Sequence, residues 1–163
     1  MFVRSAGERD LPAVRKLLVE TWHATYDAIY GVERVNEITD EWHSIAALRS
    51  RLKRPRSEFL VADDGETTGG MAYAAESTDP GLAMLHQLYV LPRFQRQGVG
   101  TDLLHEIENS FPEARCVRLE VEEANRSALR FYAAHGFKCS GEPVLCGGET
   151  FAIPALMLEK PLD

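Results

Sequence analysis

The segment "FQRQGVGTDLL", residues 94–104, places two closely spaced glycines, Gly98 and Gly100, at the start of a helix. A strand, "LHQLYV", and a proline precede it, and an apolar stripe at helical spacing follows: Val99, Leu103, Leu104, Ile107 and Phe111. The first amides of a helix lack internal acceptors and carry the positive end of its dipole, and glycine lets a bulky anion approach them. The segment therefore predicts a binding site for phosphate or pyrophosphate.

Two common phosphate-binding loops do not match this segment. A Walker loop needs lysine after its last glycine, but Thr101 follows Gly100. The dinucleotide fingerprint needs a third glycine, at the position that Leu103 occupies. The pattern that remains is Gln95-x-x-Gly98-x-Gly100, and two arginines flank it: Arg93 and Arg96.

Periodicity on both sides of the segment predicts a single domain over residues 1–163. A first helix begins after Asp10 and ends at Gly31, and a second covers residues 40–52. The last two strands, residues 137–140 and 150–159, are joined by a glycine-rich loop, "GEPVLCGGET". The predicted order is β-α-α-β-β-β-α-β-α-β-β, which is typical of one mixed sheet flanked by helices.

The amino-acid composition indicates which partners the protein can bind and in which compartment it functions. The net charge of −7 disfavours nucleic acid and anionic membrane as partners. The one basic cluster is interpreted as a solvated helix end: Arg49, Arg51, Lys53, Arg54 and Arg56. Three widely spaced cysteines, no signal-peptide pattern and no long apolar run predict a soluble cytoplasmic protein. The histidines lack the spacing of metal ligands, so no metal is expected.

The segments "LHQLYVLPRFQRQGVGTDLL", "LEVEEANRSALRFYAAHGFK" and "VRSAGERDLPAV" together resemble the GNAT superfamily of acyl-CoA-dependent N-acetyltransferases, in order and over essentially the whole chain. The resemblance implies a single domain of the mixed α/β class. Its central sheet would hold about six to seven mostly antiparallel strands, splayed between the fourth and fifth and flanked by about four helices.

The resemblance also implies a cosubstrate, acetyl-CoA, and the residues that bind it. Leu88 and Val90 would pair with the pantetheine arm, and Asn125 would contact the pantetheine or the adenosine. The loop around the pyrophosphate would consist of Gln95, Arg96, Gln97, Gly98, Val99, Gly100 and Thr101. Tyr132 would lie beside the thioester sulfur. Asn125 is equally a plausible N-cap for the helix that begins after it.

Acetyl transfer to an amine needs a neutral amine, an oxyanion donor and a proton for the departing thiolate. Tyr132 is the candidate acid, and the Val90 amide the implied oxyanion donor. Many relatives carry a glutamate near the position of Met84, which cannot act as a base. His86, two residues further on the same strand face, is the leading candidate base, and two glutamates on the next strand stay open as alternatives: Glu120 and Glu122.

The acceptor is the least determined part of the prediction. In this family the first helices help to form the acceptor pocket, and here they carry four aromatic residues: Trp22, Tyr26, Tyr30 and Trp42. Four nearby acids favour a cationic amine: Glu33, Glu37, Asp40 and Glu41. Small amines, polyamines and peptide amines remain possible acceptors. The alternative function is a catalytically silent domain that binds acetyl-CoA as a sensor, and a homodimer is a family habit.

Overall fold

A computed structural model of the chain describes residues 1–140, 144–146 and 153–163. The chain divides into two compact units. Unit 1 comprises Met1–Ala75 and Gln87–Ser110, and unit 2 comprises Glu76–His86 and Phe111–Asp163. The strand β4 (Leu82–Val90) contributes residues to both units.

Unit 1 contains two complete strands, a third strand apart from its last residue, and four helices. The strands are β1 (Phe2–Ser5), β2 (Ser57–Asp63) and β3 (Thr68–Glu76), which lie in that order with β4 next to β3. The helices are α1 (Leu11–Tyr30), α2 (Val32–Trp42), α3 (Ile45–Lys53) and α4 (Val99–Asn109). The β1–β2 and β2–β3 pairs are antiparallel.

Strands β2 and β3 of unit 1 bury both of their faces. One face joins a core cluster with α1 and α3 that includes Leu18, Leu48, Phe59, Val61, Met71 and Tyr73. The other face approaches α4 most closely at Gly70, where a Cβ atom would lie 3.0 Å from Leu103 Cδ1 and 3.1 Å from Val99 Cγ1. This close contact fixes the start of α4 against β3, so the position of the predicted anion site depends on packing in the core of unit 1.

One helix prediction was wrong in detail. The sequence predicts one helix over residues 40–52, and the structure has two, because α2 ends at Trp42 and α3 begins at Ile45. Ser44 causes the break, since its hydroxyl accepts a hydrogen bond from the Ala47 amide and caps α3. The predicted end of α1 at Gly31 is confirmed: Gly31 has a φ of 89°, and its amide donates to the Asp27 carbonyl.

Asp10 precedes α1 but does not cap it through its side chain. Its carboxylate instead accepts from the Gly7 amide and from both terminal nitrogens of Arg4. Arg4 also donates to Asp63 from Nε. This network connects β1, the entrance of α1 and the end of β2, with Asp10 only 8% exposed.

Unit 2 is built on the start of β4 and four further strands. These are β5 (Cys116–Glu122), β6 (Lys138–Cys139), β7 (Val144–Cys146) and β8 (Ile153–Pro161). The order is β4-β5-β8-β6, with β7 also on β8. β4 and β5 are parallel over Leu82–Leu85 and Cys116–Leu119, and every β8 pair is antiparallel. Helix α5 (Arg126–Ala134) connects β5 to β6.

The predicted fold class, a mixed and mostly antiparallel sheet with helices, is confirmed. The prediction of a continuous loop after residue 140 was wrong, because β7 lies within it and pairs with β8. The predicted start of the last strand, at residues 150–152, falls outside the described residues. Within the described ranges, no helix combines the length and apolar character needed to span a bilayer.

Candidate active site

The predicted anion loop in unit 1 leads directly into α4. A 3₁₀ turn, Pro92–Phe94, follows β4, and Gln95–Gly98 are exposed. The first hydrogen bond of the helix runs from the Asp102 amide to the Gly98 carbonyl, at 2.9 Å. The amides of Val99 and Gly100 precede that bond and have no acceptor inside the helix. The N-cap, Gly98, has no side chain to accept from these donors, so they and the helix dipole can bind an anion.

The backbone of this loop adopts an uncommon conformation. Arg96 has a φ of 62° and Gly98 a φ of 85°, both in the left-handed region. A left-handed arginine is strained, and such strain persists where the surrounding structure imposes it. A Cβ atom built on Gly98 would have no neighbour within 4 Å. The space in front of Gly98 is therefore open, as the approach of a bulky phosphate requires.

Two glutamine side chains brace the loop instead of reaching outward. Gln95 donates from Nε2 to the Val90 carbonyl at 2.9 Å, and Gln97 donates to the Arg93 carbonyl at 3.1 Å. Arg93 itself forms an ion pair with Glu20 of α1 at 3.1 Å. Arg93 therefore reaches toward α1, and the backbone amides and Arg96 supply positive potential at the loop itself.

The end of β4 presents Leu88 and Val90 on one face and Tyr89 on the other. Tyr89 packs against the core cluster of unit 1, while Leu88 and Val90 are half-buried. The strand continues into Leu91, whose amide donates to the Gly69 carbonyl of β3 at 2.9 Å. The structure therefore fixes the two predicted pantetheine-pairing residues immediately before the anion loop.

The candidate bases share one face of the sheet in unit 2. Met84 pairs with Arg118, so the side chains of His86 and Glu120, each two residues further on, point to that same face. Both His86 and Glu120 are exposed, while the alternate residues of β5 are buried. The arrangement keeps both groups accessible to water and a substrate, and it does not choose between them.

Tyr132 lies on α5 and is 8% exposed. Its ring packs edge-on against Phe131 at 5.3 Å and Phe137 at 5.4 Å between centroids. Burial raises the pKa of the Tyr132 phenol, and the nearby Glu122 carboxylate raises it further. The phenol is therefore neutral at physiological pH and can donate a proton or a hydrogen bond.

Asn125 performs the structural role that the sequence offered as an alternative. Its Oδ1 accepts from the Ala128 amide at 3.1 Å, which caps α5. A cap at this position orients the helix that carries Tyr132. The Asn125 amide nitrogen is not used by that bond, so the predicted contact with the cosubstrate stays a prediction.

The four aromatic residues of the predicted acceptor end form one cluster in unit 1. Trp22 lies 4.5 Å from Tyr26 and 5.7 Å from Trp42 between ring centroids, and Tyr26 stacks on Tyr30 at 5.5 Å. Trp22 and Tyr26 are only 1% exposed, whereas Tyr30 and Trp42 are partly exposed. Direct contact between a substrate and this cluster is thus easiest at Tyr30 and Trp42.

The four acidic residues near this aromatic cluster lie on the surface and not in the protein interior. Glu33, Glu37, Asp40 and Glu41 are all exposed on α2, and Asp40 pairs with Arg15 at 2.9 Å. Trp22 instead neighbours the buried His43, at 5.8 Å between ring centroids, and the partly exposed Tyr89, at 6.4 Å. This placement weakens the sequence argument for a cationic acceptor, because no carboxylate of that group lies in the interior.

Sequence reasoning missed His43 and Arg51. His43 is 1% exposed, and Arg51 is partly buried with its guanidinium donating to the Trp42 carbonyl. Arg51 was grouped with the solvated helix end, yet it stands three residues after the buried Leu48. Residues at i and i+3 lie on the same face of a helix, so this spacing is the sequence signal that could have indicated the partial burial of Arg51.

Three comparisons with known proteins bear on this site. Residues 11–137 match the model of the acetyltransferase (GNAT) family. A spermidine N(1)-acetyltransferase of Thermoplasma acidophilum is 28% identical over 83% of this chain and 87% of its own. The peptidyl-lysine N-acetyltransferase YiaC of Escherichia coli is 25% identical over 83% and 82%. The crystal structure of PaiA N-acetyltransferase from Thermoplasma acidophilum in complex with coenzyme A superposes with a TM-score of 0.86, at 24% identity, over 99% of this chain and 98% of its own.

Proposed function

The chain belongs to the acetyltransferase (GNAT) family and is an acyltransferase, and we propose that it transfers an acetyl group from acetyl-CoA directly to a primary amine. The observation that carries the proposal is the open start of α4. The amides of Val99 and Gly100 and the empty space in front of Gly98 form a seat for a pyrophosphate.

The residues of the chain fit this cosubstrate. In unit 1, the loop from Gln95 to Thr101 would hold the pyrophosphate, and Leu88 and Val90 would pair with the pantetheine. The resemblance to the family assigns further contacts to Asn125 and Tyr132. Acetyl-CoA supplies an acetyl thioester, whose thiol is a good leaving group. No nucleophile of the chain is needed for direct transfer.

We assign the proton donor to Tyr132 because its phenol is held neutral by burial and by Glu122. Removal of a proton from the amine is assigned to His86, with Glu120 and Glu122 as alternatives. The Val90 amide is the proposed oxyanion donor. These roles are proposed from the resemblance of the sequence to the family.

The relatives support an amine as the acceptor, but they do not identify the acceptor of this chain. One relative is a spermidine acetyltransferase and another a peptidyl-lysine acetyltransferase, and they are 28% and 25% identical to this chain. Both acceptors carry primary amines on flexible aliphatic chains. A small amine, a polyamine or a peptide amine is therefore the proposed class.

The test is acetyl transfer from acetyl-CoA to a mixed panel of amines, polyamines and peptides, detected by mass. Mass detection avoids thiol reagents, which would also react with the three cysteines. An acetylated product supports the proposal and identifies the acceptor class. Calorimetric titration with acetyl-CoA runs in parallel. Binding without any product would favour the silent-sensor alternative, and absence of binding would contradict both.

A further inference from the structure

Gly69 of β3 is covered by two side chains from distant parts of the chain. A Cβ atom built on Gly69 would lie 2.9 Å from Phe94 Cδ2 and 3.0 Å from Met1 Sδ, and closer still to Met1 Cε. Gly69 itself lies at the register shift between β2 and β3. The missing side chain of Gly69 therefore leaves a seat on the strand that Met1 and Phe94 fill together.

Phe94 immediately precedes the anion loop, so its seat on Gly69 holds the entrance of that loop. The Leu91 amide donates to the Gly69 carbonyl, and the Phe94 amide donates to the Leu91 carbonyl, both at 2.9 Å. The Arg93 guanidinium lies over the Phe94 ring, 5.5 Å from its centroid. The chain that enters the loop is thus attached to β3 by a backbone hydrogen bond and by packing of the Phe94 ring.

Met1 is the most exposed of the four methionines. It is 41% exposed, whereas Met71 is completely buried and Met84 and Met157 are partly buried. Contact between a thioether and an aromatic ring is favourable, and oxidation to the sulfoxide makes the same side chain polar and disrupts such packing. Met1 therefore combines access to a dissolved oxidant with a contact that oxidation would weaken.

We propose that Met1 is an oxidation-sensitive positioning residue for the cosubstrate. Its thioether holds Phe94 on Gly69, and its sulfoxide releases Phe94, loosens the anion loop and weakens binding of acetyl-CoA. This inference rests on the proposed function, because it concerns regulation of the cosubstrate site.

The oxidant of the proposed modification is a peroxide. The sulfur lone pair of Met1 attacks a peroxide oxygen, the O–O bond breaks and an S–O bond forms. Sulfur is oxidised by two electrons, and hydrogen peroxide is reduced to water. The product is methionine sulfoxide, which methionine sulfoxide reductases convert back to the thioether.

The experiment treats a Met84→Leu, Met157→Leu protein with hydrogen peroxide, so that Met1 and the buried Met71 are the methionines that remain. Peptide mass mapping establishes that Met1 is present and measures its oxidation. Dithiothreitol then reverses disulfides and sulfenic acids of the three cysteines but leaves the sulfoxide. Calorimetry should show acetyl-CoA binding about threefold to tenfold more weakly. Treatment with methionine sulfoxide reductases A and B together should restore the affinity.

A matched protein contains norleucine, which has a methylene group in place of the sulfur, at the two remaining methionine positions. It should keep its acetyl-CoA affinity after the same peroxide treatment. With an acceptor from the amine panel, oxidation of Met1 should raise KM for acetyl-CoA and leave kcat unchanged, because the chemical step does not involve Met1.

Phe94→Ala tests whether Met1 acts through the Phe94 ring. This substitution should weaken acetyl-CoA binding in the reduced protein by about as much as oxidation of Met1 does. Oxidation of Met1 in the Phe94→Ala protein should then add no further loss, since the two changes remove the same contact.

Four results would overturn the inference: Met1 absent from the purified chain or resistant to peroxide, a Met1 sulfoxide with undiminished affinity, an equal loss in the norleucine protein, or a loss that the reductases do not reverse. Additive losses from Phe94→Ala and oxidation would also overturn it. Acetyl-CoA binding by the untreated protein is measured first. Its absence would contradict the proposed function itself, whereas binding that is indifferent to Met1 oxidation would contradict this inference alone.

Discussion

Gln95 donates a hydrogen bond of 2.9 Å from its side-chain nitrogen to the backbone carbonyl of Val90. This bond joins the first residue of the anion loop to the last residue of β4. The loop that would bind the pyrophosphate and the strand that would pair with the pantetheine are therefore held in a fixed relation within unit 1. The geometry of the proposed cosubstrate site would then depend on a side chain whose amide nitrogen is bonded to β4.

Gln95→Met should loosen the loop and leave the fold intact. A single hydrogen bond contributes about 0.5–1.5 kcal/mol, so acetyl-CoA should bind roughly threefold to tenfold more weakly. Calorimetry measures the affinity, and urea unfolding serves as the control for stability. An unchanged affinity with unchanged stability would show that the bond to Val90 does not position the loop.

Tyr132→Phe should lower turnover much more than it lowers acetyl-CoA affinity. Loss of a general acid typically costs about 10²–10⁴-fold in rate, while the ring and its contacts with Phe131 and Phe137 are retained. The raised pKa keeps the phenol protonated, so Tyr132 ionisation should not cause any fall in wild-type turnover below about pH 10. Steady-state kinetics across this range, with calorimetry as the control, checks both statements. An equal rate in the variant would remove Tyr132 as the acid.

Asp10→Asn should destabilise the fold by about 1–3 kcal/mol at pH 7, because it weakens charged hydrogen bonds to a mostly buried carboxylate. Arg4 holds the pKa of Asp10 below its usual range. The stabilisation is therefore complete above the ordinary carboxyl pKa near 3.9 and is lost as pH falls through the lower folded value. Urea unfolding at several pH values should show the gap between wild type and variant closing in acid.

The matched control for Asp10 is Asp40→Asn. Asp40 also pairs with an arginine, Arg15, but its side chain is 70% exposed. Exposed ion pairs contribute little, so this variant should stay within about 0.5 kcal/mol of wild type. If both variants were equally destabilised, burial of the Arg4–Asp10 pair would not explain the effect.

Gly70→Ala should destabilise unit 1 by about 1–3 kcal/mol, since the added methyl group would press on Leu103 and Val99 of α4. Gly7→Ala is the control, because its Cβ would meet only Asp10 Oδ2, at 3.8 Å, and its φ of −123° suits any residue. Chemical denaturation compares the two. Equal stability of both variants would mean that α4 moves away from β3 at little cost.

Helix ends could be predicted from the sequence wherever a single residue determines the local backbone conformation. Gly31 ends α1 and Gly98 begins α4, and both have positive φ values that other residues rarely adopt. Asn125 caps α5 for the same local reason, through its side-chain oxygen. These positions were predicted correctly because the physical cause lies within a few residues of the effect.

The break between α2 and α3 was not predicted, because the apolar pattern runs across it. Trp42, Ile45 and Leu48 keep helical spacing, so the periodicity indicates one helix, whereas the cap at Ser44 makes two. Val35 and Ile38 give α2 only a narrow buried stripe, which is a weak signal in a polar segment.

The burial of Arg51 and His43 could not be read from the sequence either. Arg51 lies in a run of cations that is typical of a solvated surface, and His43 has no partner at a recognisable spacing. Tertiary packing of α3 against α1 and β2 brings them together with Trp22, and that packing has no local sequence signature.

The most direct test of the central claim is a calorimetric titration of acetyl-CoA into Gly98→Glu and Gly65→Glu. Both glycines have positive φ values, +85° and +96°, and neither would bring a Cβ within 4 Å of another atom. Each substitution should therefore cost a similar 1–2 kcal/mol or so of backbone strain. Only the glutamate at 98 places bulk and negative charge on the proposed pyrophosphate seat. The account predicts that Gly98→Glu abolishes binding while Gly65→Glu, in the turn between β2 and β3, binds as wild type does. Wild-type affinity in Gly98→Glu would contradict it.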